Sequence, residues 1–153
     1  MKLLLNCVIL VLSALSLSQA EAPSATVSIT EVKADKGVRI VSGTITLKLA
    51  PGYHAYQNPP TKDYMVPVTV TALDKAAKLV AKYPKGTVRE VMGETAAIYE
   101  GETVIPFSVI LGKKSGSIVN LELGYQQCNE SNCWPPAKLT LKIKLATGKA
   151  KKS

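Results

Sequence analysis

The segment Thr44-Ile45-Thr46-Leu47-Lys48-Leu49 alternates between polar and apolar side chains at every position. A period of two places the apolar residues on one face of a β-strand and the polar residues on the other. The same alternation recurs along most of the chain, and turn signals such as Asp35-Lys36-Gly37 and Gly112-Lys113-Lys114-Ser115-Gly116 separate the runs. The pattern predicts an all-β protein, an antiparallel β-sandwich of seven to nine short strands.

Other runs with this pattern predict further strands, which are Val27 to Val32, Val38 to Ile40, Met65 to Thr71, Val104 to Leu111, Ile118 to Leu123 and Leu139 to Leu145. Gly43 is expected at a bulge or bend. Pro67 and Pro106 lack a backbone N–H, so their strands are predicted at sheet edges or bulges. One or two helical turns are expected only between Leu73 and Val80, around Asp74 to Ala77.

The length and composition of the chain exclude several classes of protein and of metal site. The chain has 153 residues, of which 46% are hydrophobic and 20% charged, which suits one globular domain and excludes intrinsic disorder. It contains one histidine and three cysteines, so a site of two or three imidazoles and a four-thiolate zinc site are both excluded. Much of the formal net charge of +8 comes from lysines near the C-terminus. No aromatic residues lie between these lysines, so they predict a solvated tail rather than a nucleic-acid surface.

The N-terminal segment has the layout of a secretory signal peptide. Lys2 precedes the apolar run Leu3 to Leu17, and Ser18-Gln19-Ala20 resembles a cleavage site. The run is shorter than the roughly 20 apolar residues of a membrane span, and no later stretch approaches that length. We therefore expect a signal peptide at 1–20, with an uncleaved anchor as the alternative, a domain at 22–146 and a basic disordered tail at 147–153. The product is expected to be periplasmic or secreted, with no stable membrane insertion and no nucleic-acid partner.

The residues that can carry chemistry are concentrated in one segment, Tyr125-Gln126-Gln127-Cys128-Asn129-Glu130-Ser131-Asn132-Cys133-Trp134-Pro135-Pro136. Cys128 and Cys133 can form a disulfide if the chain between them turns sharply, which its asparagine and serine residues favour. A structural disulfide that closes so short a loop adds only about 2 kcal/mol on the chain-entropy model. Trp134 and the two prolines form a rigid apolar surface beside the sulfurs, which favours an exchangeable disulfide. A redox pair, a structural disulfide and a metal site all remain open on spacing alone.

This cysteine motif resembles the active-site motif of the N-terminal periplasmic domain of the thiol:disulfide interchange protein DsbD. Two other segments are similar to parts of that family. Gly52-Tyr53-His54-Ala55-Tyr56 is similar to the aromatic stretch beside its active site, and Glu90-Val91-Met92-Gly93-Glu94 to its cap loop. The first of them lies in the long stretch Ala50 to Tyr64, whose length and aromatic content indicate a functional loop. The resemblance covers most of the chain from Ala25 to Leu145.

The resemblance implies an immunoglobulin-like fold without a cofactor and a component of protein-disulfide reduction. It implies that the domain receives electrons from a thioredoxin-like domain of a membrane thiol reductase and passes them to exported oxidoreductases, with cytochrome c biogenesis among the processes served. Cys133 maps to the cysteine that partners attack, and Cys128 maps to the resolving thiol. Full-length reductases of the family continue into a membrane domain and a thioredoxin-like domain. We therefore expect a free-standing, monomeric carrier whose partners are thioredoxin-fold proteins and a membrane thiol reductase, or else a relative that has kept the scaffold for another task.

The sequence departs from the family pattern at the cap and in the aromatic stretch. Val91 and Met92 stand where the family has an aromatic cap residue, which predicts a smaller or softer cover over the disulfide. His54 stands where the family tends to have tyrosine. It is either an ordinary surface-loop histidine or a group that lowers a thiol pKa or shuttles its proton. Glu90 and Glu94 are either solvated loop charges or like charges that raise a thiol pKa.

The other residues expected around the disulfide are aromatic, namely Tyr53, Tyr56, Tyr125 and Trp134. Two rival functions remain open. One is a non-catalytic immunoglobulin-like binding module whose disulfide is structural, and the other is a periplasmic carrier of copper(I), an ion that soft sulfur donors suit. The donors of that second rival would be Cys128, Cys133, His54 and Met92. No recurring spacing of Met or His supports it, so we assign neither a metal ligand nor a cofactor.

Overall fold

Ten β-strands make up the part of the chain that the structure describes. The computed structural model covers residues 21–113 and 115–145, and the predicted signal peptide at 1–20 and tail at 147–153 lie outside them. The strands, in chain order, are β1 (Ser24–Asp35), β2 (Val38–Lys48), β3 (His54–Tyr56), β4 (Thr69–Ala72), β5 (Lys78–Ala81), β6 (Thr87–Val91), β7 (Glu94–Glu100), β8 (Glu102–Leu111), β9 (Ile118–Tyr125) and β10 (Ala137–Lys144). Within the described ranges, no helix has the length and apolar character needed to cross a bilayer.

Three antiparallel sheets contain these strands. The first sheet has the order β1-β2-β8-β5, the second β10-β9-β4 and the third β3-β7-β6. The first and second sheets contribute most of one shared apolar cluster, which we call the main core. Its largest fully buried side chains are Val41, Ile45, Leu47, Leu49, Val68, Ile105, Val109, Leu111, Leu121 and Leu123. The alternating segment that opens the sequence analysis thus lies with its apolar face in the sandwich, as its period of two predicts.

The predicted all-β antiparallel sandwich is confirmed, with ten strands instead of seven to nine. The additional strands are short ones such as β3 and β5. The helical turns expected between Leu73 and Val80 are absent. A single turn forms, in which the Ala77 N–H donates to the Asp74 carbonyl at 3.0 Å. Pairing of β5 with β8 then takes up Lys78–Ala81 in an extended conformation.

The bulge that Gly43 predicts lies on the opposite strand. The register between β1 and β2 shifts between Ile29 and Glu31, and Gly43 is the partner of Ile29. A Cβ atom on Gly43 would lie 2.3 Å from the Ser28 carbonyl oxygen and 3.1 Å from the Phe107 ring. The glycine is therefore required because β1 approaches its backbone closely, and not because β2 itself bulges.

Pro106 lies in β8, an interior strand of the first sheet, so the edge position predicted for its strand is wrong. The ladder between β5 and β8 ends at the pair Ala81–Phe107, and the next residue, Lys82, donates its N–H to the Pro106 carbonyl at 2.8 Å. The backbone nitrogen and carbonyl of Pro106 therefore point towards the β5 side, just beyond the last residue pair of that ladder. No strand residue needs the N–H that proline lacks there.

The third sheet has one face in the main core and the other in a second, smaller cluster. Ala55 of β3 and its partner Tyr99 of β7 belong to the main core, whereas the next pair, Tyr56 and Ile98, belongs to the second cluster. The members of the second cluster are Tyr56, Met65, Val91, Ala96, Ile98 and Cys128. Because successive residues of β3 face opposite sides, this strand contacts the main core on one face and the cluster that contains Cys128 on the other.

We predict that Gly43→Ala lowers the free energy of unfolding by about 1–3 kcal/mol, because the added methyl group must displace β1 or the Phe107 ring. Gly112→Ala is the matched control, since a Cβ there meets no atom within 4 Å, and its change should stay within about 0.5 kcal/mol. Urea denaturation of both variants measures the difference. Equal stabilities would contradict the close approach of β1.

Candidate redox site

Cys128 and Cys133 form a disulfide across a tight hairpin, with their Cα atoms 4.0 Å apart. Hydrogen bonds flank the pair on both sides. The Asn129 N–H donates to the Asn132 carbonyl at 2.8 Å, and the Trp134 N–H donates to the Gln127 carbonyl at 2.9 Å. The cysteines are therefore the non-hydrogen-bonded pair between them, the position at which opposing Cα atoms come closest. The hairpin itself holds the sulfurs in bonding range.

The side chain of Asn129 closes the turn between the cysteines. Its Oδ1 accepts the backbone N–H groups of Ser131 at 2.9 Å and of Asn132 at 2.7 Å. Asparagine favours such turns because its short side chain can replace a backbone acceptor. The sharp reversal that the motif requires is thus built from its own residues.

The two cysteines differ completely in exposure. Cys128 is 0% exposed and belongs to the second cluster, whereas Cys133 lies on the surface. An incoming group reaches a sulfur only if that sulfur is accessible. Of the two sulfurs, Cys133 Sγ is therefore the one open to a partner in the folded protein.

The hairpin between β6 and β7 forms the cap over this disulfide. Val91 pairs with Glu94, and the two residues between them, Met92 and Gly93, have φ angles of 51° and 78°. Positive φ at both central positions is the geometry of a type I′ turn. Met92 Sδ lies 3.8 Å from Cys133 Sγ, and Val91 is buried in the second cluster together with Cys128.

Aromatic side chains border the disulfide on its other sides. The hydroxyl oxygen of Tyr56 lies 3.9 Å from Cys133 Sγ. Burial, with a further contribution from the charge of Glu94, raises the pKa of Tyr56, so its hydroxyl keeps its proton and can donate it to a sulfur. The rings of Tyr53 and Trp134 contact each other at a centroid distance of 5.5 Å. Trp134 is further held by its carbonyl, which accepts from the Gln126 side chain at 3.0 Å.

His54 lies in β3, directly beside Cys128. The His54 N–H donates to the Cys128 carbonyl at 2.8 Å, and the Cys128 N–H donates to the His54 carbonyl at 2.9 Å. The imidazole is buried, so the surface-loop alternative for this residue is wrong. Burial lowers the pKa of His54, and the negative charge of Glu100 opposes that effect. The side chain is therefore a neutral imidazole near pH 7.

A shallow cavity of about 330 Å³ opens between the cap and Cys133. Three of its lining residues, Tyr64, Met65 and Gln126, are not among the site residues that the sequence indicates. The Tyr64 hydroxyl donates to Glu94 Oε2, and Lys62 Nζ lies 3.5 Å from the same oxygen. The hydrogen bond from Tyr64, assisted by the charge of Lys62, lowers the pKa of the Glu94 carboxyl. The sequence signal for Tyr64 is the aromatic content of the long loop Ala50 to Tyr64, and Gln126 belongs to the cysteine motif itself.

Two residues expected around the disulfide lie elsewhere. Glu90 precedes the buried Val91 on the edge strand β6, so its side chain lies on the face opposite to Val91, where it is exposed. Tyr125 is the last residue of β9, and its ring is buried in the main core, not in the second cluster. Across residues 21–113 and 115–145, no three or more His, Cys, Asp or Glu side chains are grouped as a metal site. The sulfur of Met92 is the one additional soft donor found in contact with Cys133.

The chain is similar to one protein family and to solved structures from it. The family model described as the N-terminal part of the thiol:disulfide interchange protein DsbD matches residues 21–145. The N-terminal periplasmic domain of ScsB from Proteus mirabilis superposes with a TM-score of 0.57 at 17% identity, over 81% of this chain and 52% of that one. The reduced N-terminal domain of Neisseria meningitidis DsbD superposes with a TM-score of 0.50 at 21% identity, over 67% of this chain and 76% of that one.

These likenesses identify the fold as immunoglobulin-like, the fold of the DsbD N-terminal domains. The chain spans about half the length of the ScsB domain that it matches. No match was found among curated protein sequences.

We predict that Met92→Gly speeds reduction of the disulfide by a small thiol several-fold, because it removes the side chain that covers Cys133 Sγ. Glycine tolerates the positive φ at this position, so the hairpin should keep its shape. Met92→Leu is the control, since it keeps a side chain of similar volume over the sulfur and should be reduced at nearly the original rate. Stopped-flow reduction by dithiothreitol measures both, and equal rates for the two variants would show that Met92 does not shield the bond.

Proposed function

Because this chain belongs to the family of the N-terminal domain of the thiol:disulfide interchange protein DsbD, we propose that it is an exported carrier that exchanges the Cys128–Cys133 disulfide with thioredoxin-fold partners. The observation that carries the proposal is the unequal exposure of the two sulfurs. Cys133 is on the surface and Cys128 is fully buried. A structural disulfide needs no such difference, whereas an exchange reaction needs one sulfur that partners can reach and one that they cannot.

The electron-accepting half-reaction follows from this difference. A partner thiolate attacks Cys133 Sγ and forms a mixed disulfide, while the bond between the cysteines breaks and its electron pair leaves with Cys128 Sγ, which then takes up a proton. A second thiolate of the partner attacks the partner's own sulfur in the mixed disulfide and releases the Cys133 thiolate. The partner is oxidised to a disulfide, and this chain gains two electrons, with a proton on Cys128 and with Cys133 left as the thiolate.

Discharge of the electrons is the same sequence in reverse. The Cys133 thiolate attacks the disulfide of an acceptor and forms a mixed disulfide with one of its sulfurs. Cys128 then attacks Cys133 Sγ, the bond between the cysteines forms again, and the acceptor leaves as a thiolate. Because Cys128 lies in the second cluster, it can resolve only adducts that form on its own neighbour.

The surface beside Cys133 suits a protein partner. Pro135 and Pro136 are exposed and conformationally restricted, and Trp134 is half-buried against Tyr53. A rigid aromatic and proline surface loses little conformational entropy when a partner covers it. We propose that thioredoxin-fold proteins, among them a domain of a membrane thiol reductase, dock here on a monomer. Export to the periplasm or beyond, through the signal peptide at 1–20, is part of the same proposal.

We predict that Cys128→Ala accumulates a mixed disulfide between Cys133 and a thioredoxin-like partner that retains one cysteine, because the resolving thiol is absent. Cys133→Ala, the matched variant, should give little or no adduct, since its remaining thiol is buried. Non-reducing gels of both variants with the same partner decide the point.

Equal trapping by both variants would leave a redox pair without distinct roles. No trapping by either would favour a structural disulfide. In that case the reduction potential of the wild-type protein should lie below about −300 mV, where structural disulfides are found.

A further inference from the structure

The register of β3 places a thiol, an imidazole and a carboxylate in one row across the strands. His54 is directly opposite Cys128 on one side and directly opposite Glu100 of β7 on the other. Directly opposed residues carry their side chains on the same face, with Cβ atoms about 4.5–5.5 Å apart. Cys128, which bonds to Cys133, and His54 are therefore neighbours on the face that carries the second cluster. At the far end of the row, Arg89 Nε contacts Glu100 Oε2 at 2.9 Å.

The imidazole at the centre of this row has an unused nitrogen. His54 is only 4% exposed, and its Nε2 has no hydrogen-bond partner among the residues that the structure describes. A buried polar atom without a partner costs about 1–3 kcal/mol, so it is rare in a folded interior and needs a specific reason, of which a redox or catalytic role is one. Hydrogen bonding within the fold gives no reason for a histidine here.

The groups that surround His54 leave it able to accept a proton. Burial lowers its pKa, while the charge of Glu100 raises it, so it is neutral near pH 7 but its cation has a stabilising neighbour. Arg89 partly neutralises Glu100 through their ion pair. Tyr56, the other titratable residue on the same face of β3, has a raised pKa and stays protonated through the neutral range. Cys128 supplies the remaining titratable group once the disulfide is reduced.

Cys128 needs a base because of where it lies. Apolar surroundings disfavour the thiolate, which is the form that attacks a disulfide. Even an exposed thiol is only a few per cent ionised at pH 7. Resolution of a mixed disulfide by a buried thiol is therefore slow unless an adjacent group removes its proton.

We propose that His54 is the general base of the resolution step, with Glu100 stabilising the imidazolium that forms. As Cys128 Sγ bonds to Cys133 Sγ, the thiol proton passes to the imidazole, the bond between Cys133 and the acceptor breaks, and its electron pair leaves with the acceptor sulfur. The imidazolium then releases the proton to solvent. The role in resolution rests on the proposed function, but the coupling between His54 and the Cys128 thiol belongs to the protein alone.

The coupling can be measured directly, because His54 is the only histidine of the chain and gives one unambiguous NMR resonance. In Cys133→Ser, where Cys128 is the free thiol, the His54 resonance should show a second inflection at alkaline pH as that thiol ionises. In Cys128→Ser, where the exposed Cys133 is the only thiol left within the described residues, this inflection should be absent or much smaller. The reduced wild-type protein provides the same readout without a substitution. Identical titrations of the two serine variants would overturn the proposal.

Substitutions of Glu100 and Arg89 should shift the pKa of His54 in opposite directions, which tests whether the Glu100 carboxylate acts on the imidazole. Glu100→Gln removes the charge that favours the imidazolium, so the pKa of His54 should fall further below its usual value. Arg89→Gln removes the partner of that charge and should shift the same pKa upwards. Shifts in the same direction, or none in either variant, would exclude Glu100 from the row.

The kinetic test follows resolution of a preformed mixed disulfide between Cys133 and a small thiol across pH. With His54→Gln, we expect release of the small thiol at pH 7 to slow by at least about a hundredfold, the low end of what a general base contributes. The difference should shrink only at a pH well above that at which an exposed thiol ionises, because burial disfavours the thiolate. A structural role for His54 would slow the reaction equally at every pH. Coupling in the NMR titration without trapping of any partner would contradict the carrier function but not the proton transfer between Cys128 and His54.

Discussion

Two backbone hydrogen bonds, those exchanged between His54 and Cys128, connect the disulfide hairpin to the rest of the domain. Through them the short strand β3 has the hairpin on one edge and β7 on the other. β7 pairs in turn with β6, and the hairpin between these two strands is the cap. The cap, the strand that carries His54 and the disulfide hairpin are therefore successive members of one hydrogen-bonded array. The distances at the site follow from this array. If the hairpin left β3, Cys128 would leave the second cluster and the cap would have nothing to cover.

Most of the sandwich can be predicted from the sequence because its long strands each bury one face. β2, β8 and β9 alternate strictly between buried and less buried residues over most of their length, so the period of two is visible in their sequence. β3 cannot be predicted in this way. It has three residues, and all are buried because its two faces contact different clusters. Most of β5 lies in the stretch Leu73 to Val80, where helical turns are expected from the sequence, and its pairing with β8 makes it extended.

The candidate site likewise has one part that can be predicted from the sequence and one that cannot. The cysteine motif and its turn residues are local in sequence, so the disulfide and its hairpin can be anticipated from Cys128 to Cys133. The burial of His54 and the distances from Met92 and Tyr56 to Cys133 depend on pairings between distant segments. Met92 is also unexpected at its position, since the left-handed conformation costs a residue with a Cβ atom about 1–2 kcal/mol and such turns usually contain asparagine or glycine. The ladder between β6 and β7 holds it there.

The separation of the two apolar clusters has a consequence for how the protein is made. The disulfide belongs to the second cluster, whereas the main core consists of aliphatic and aromatic side chains without a sulfur atom. The cross-link also spans only five positions along the chain, so it constrains little of the unfolded ensemble. The sandwich therefore contains no contact that waits for an oxidant, and we expect the chain to reach its folded shape with the cysteines in either state.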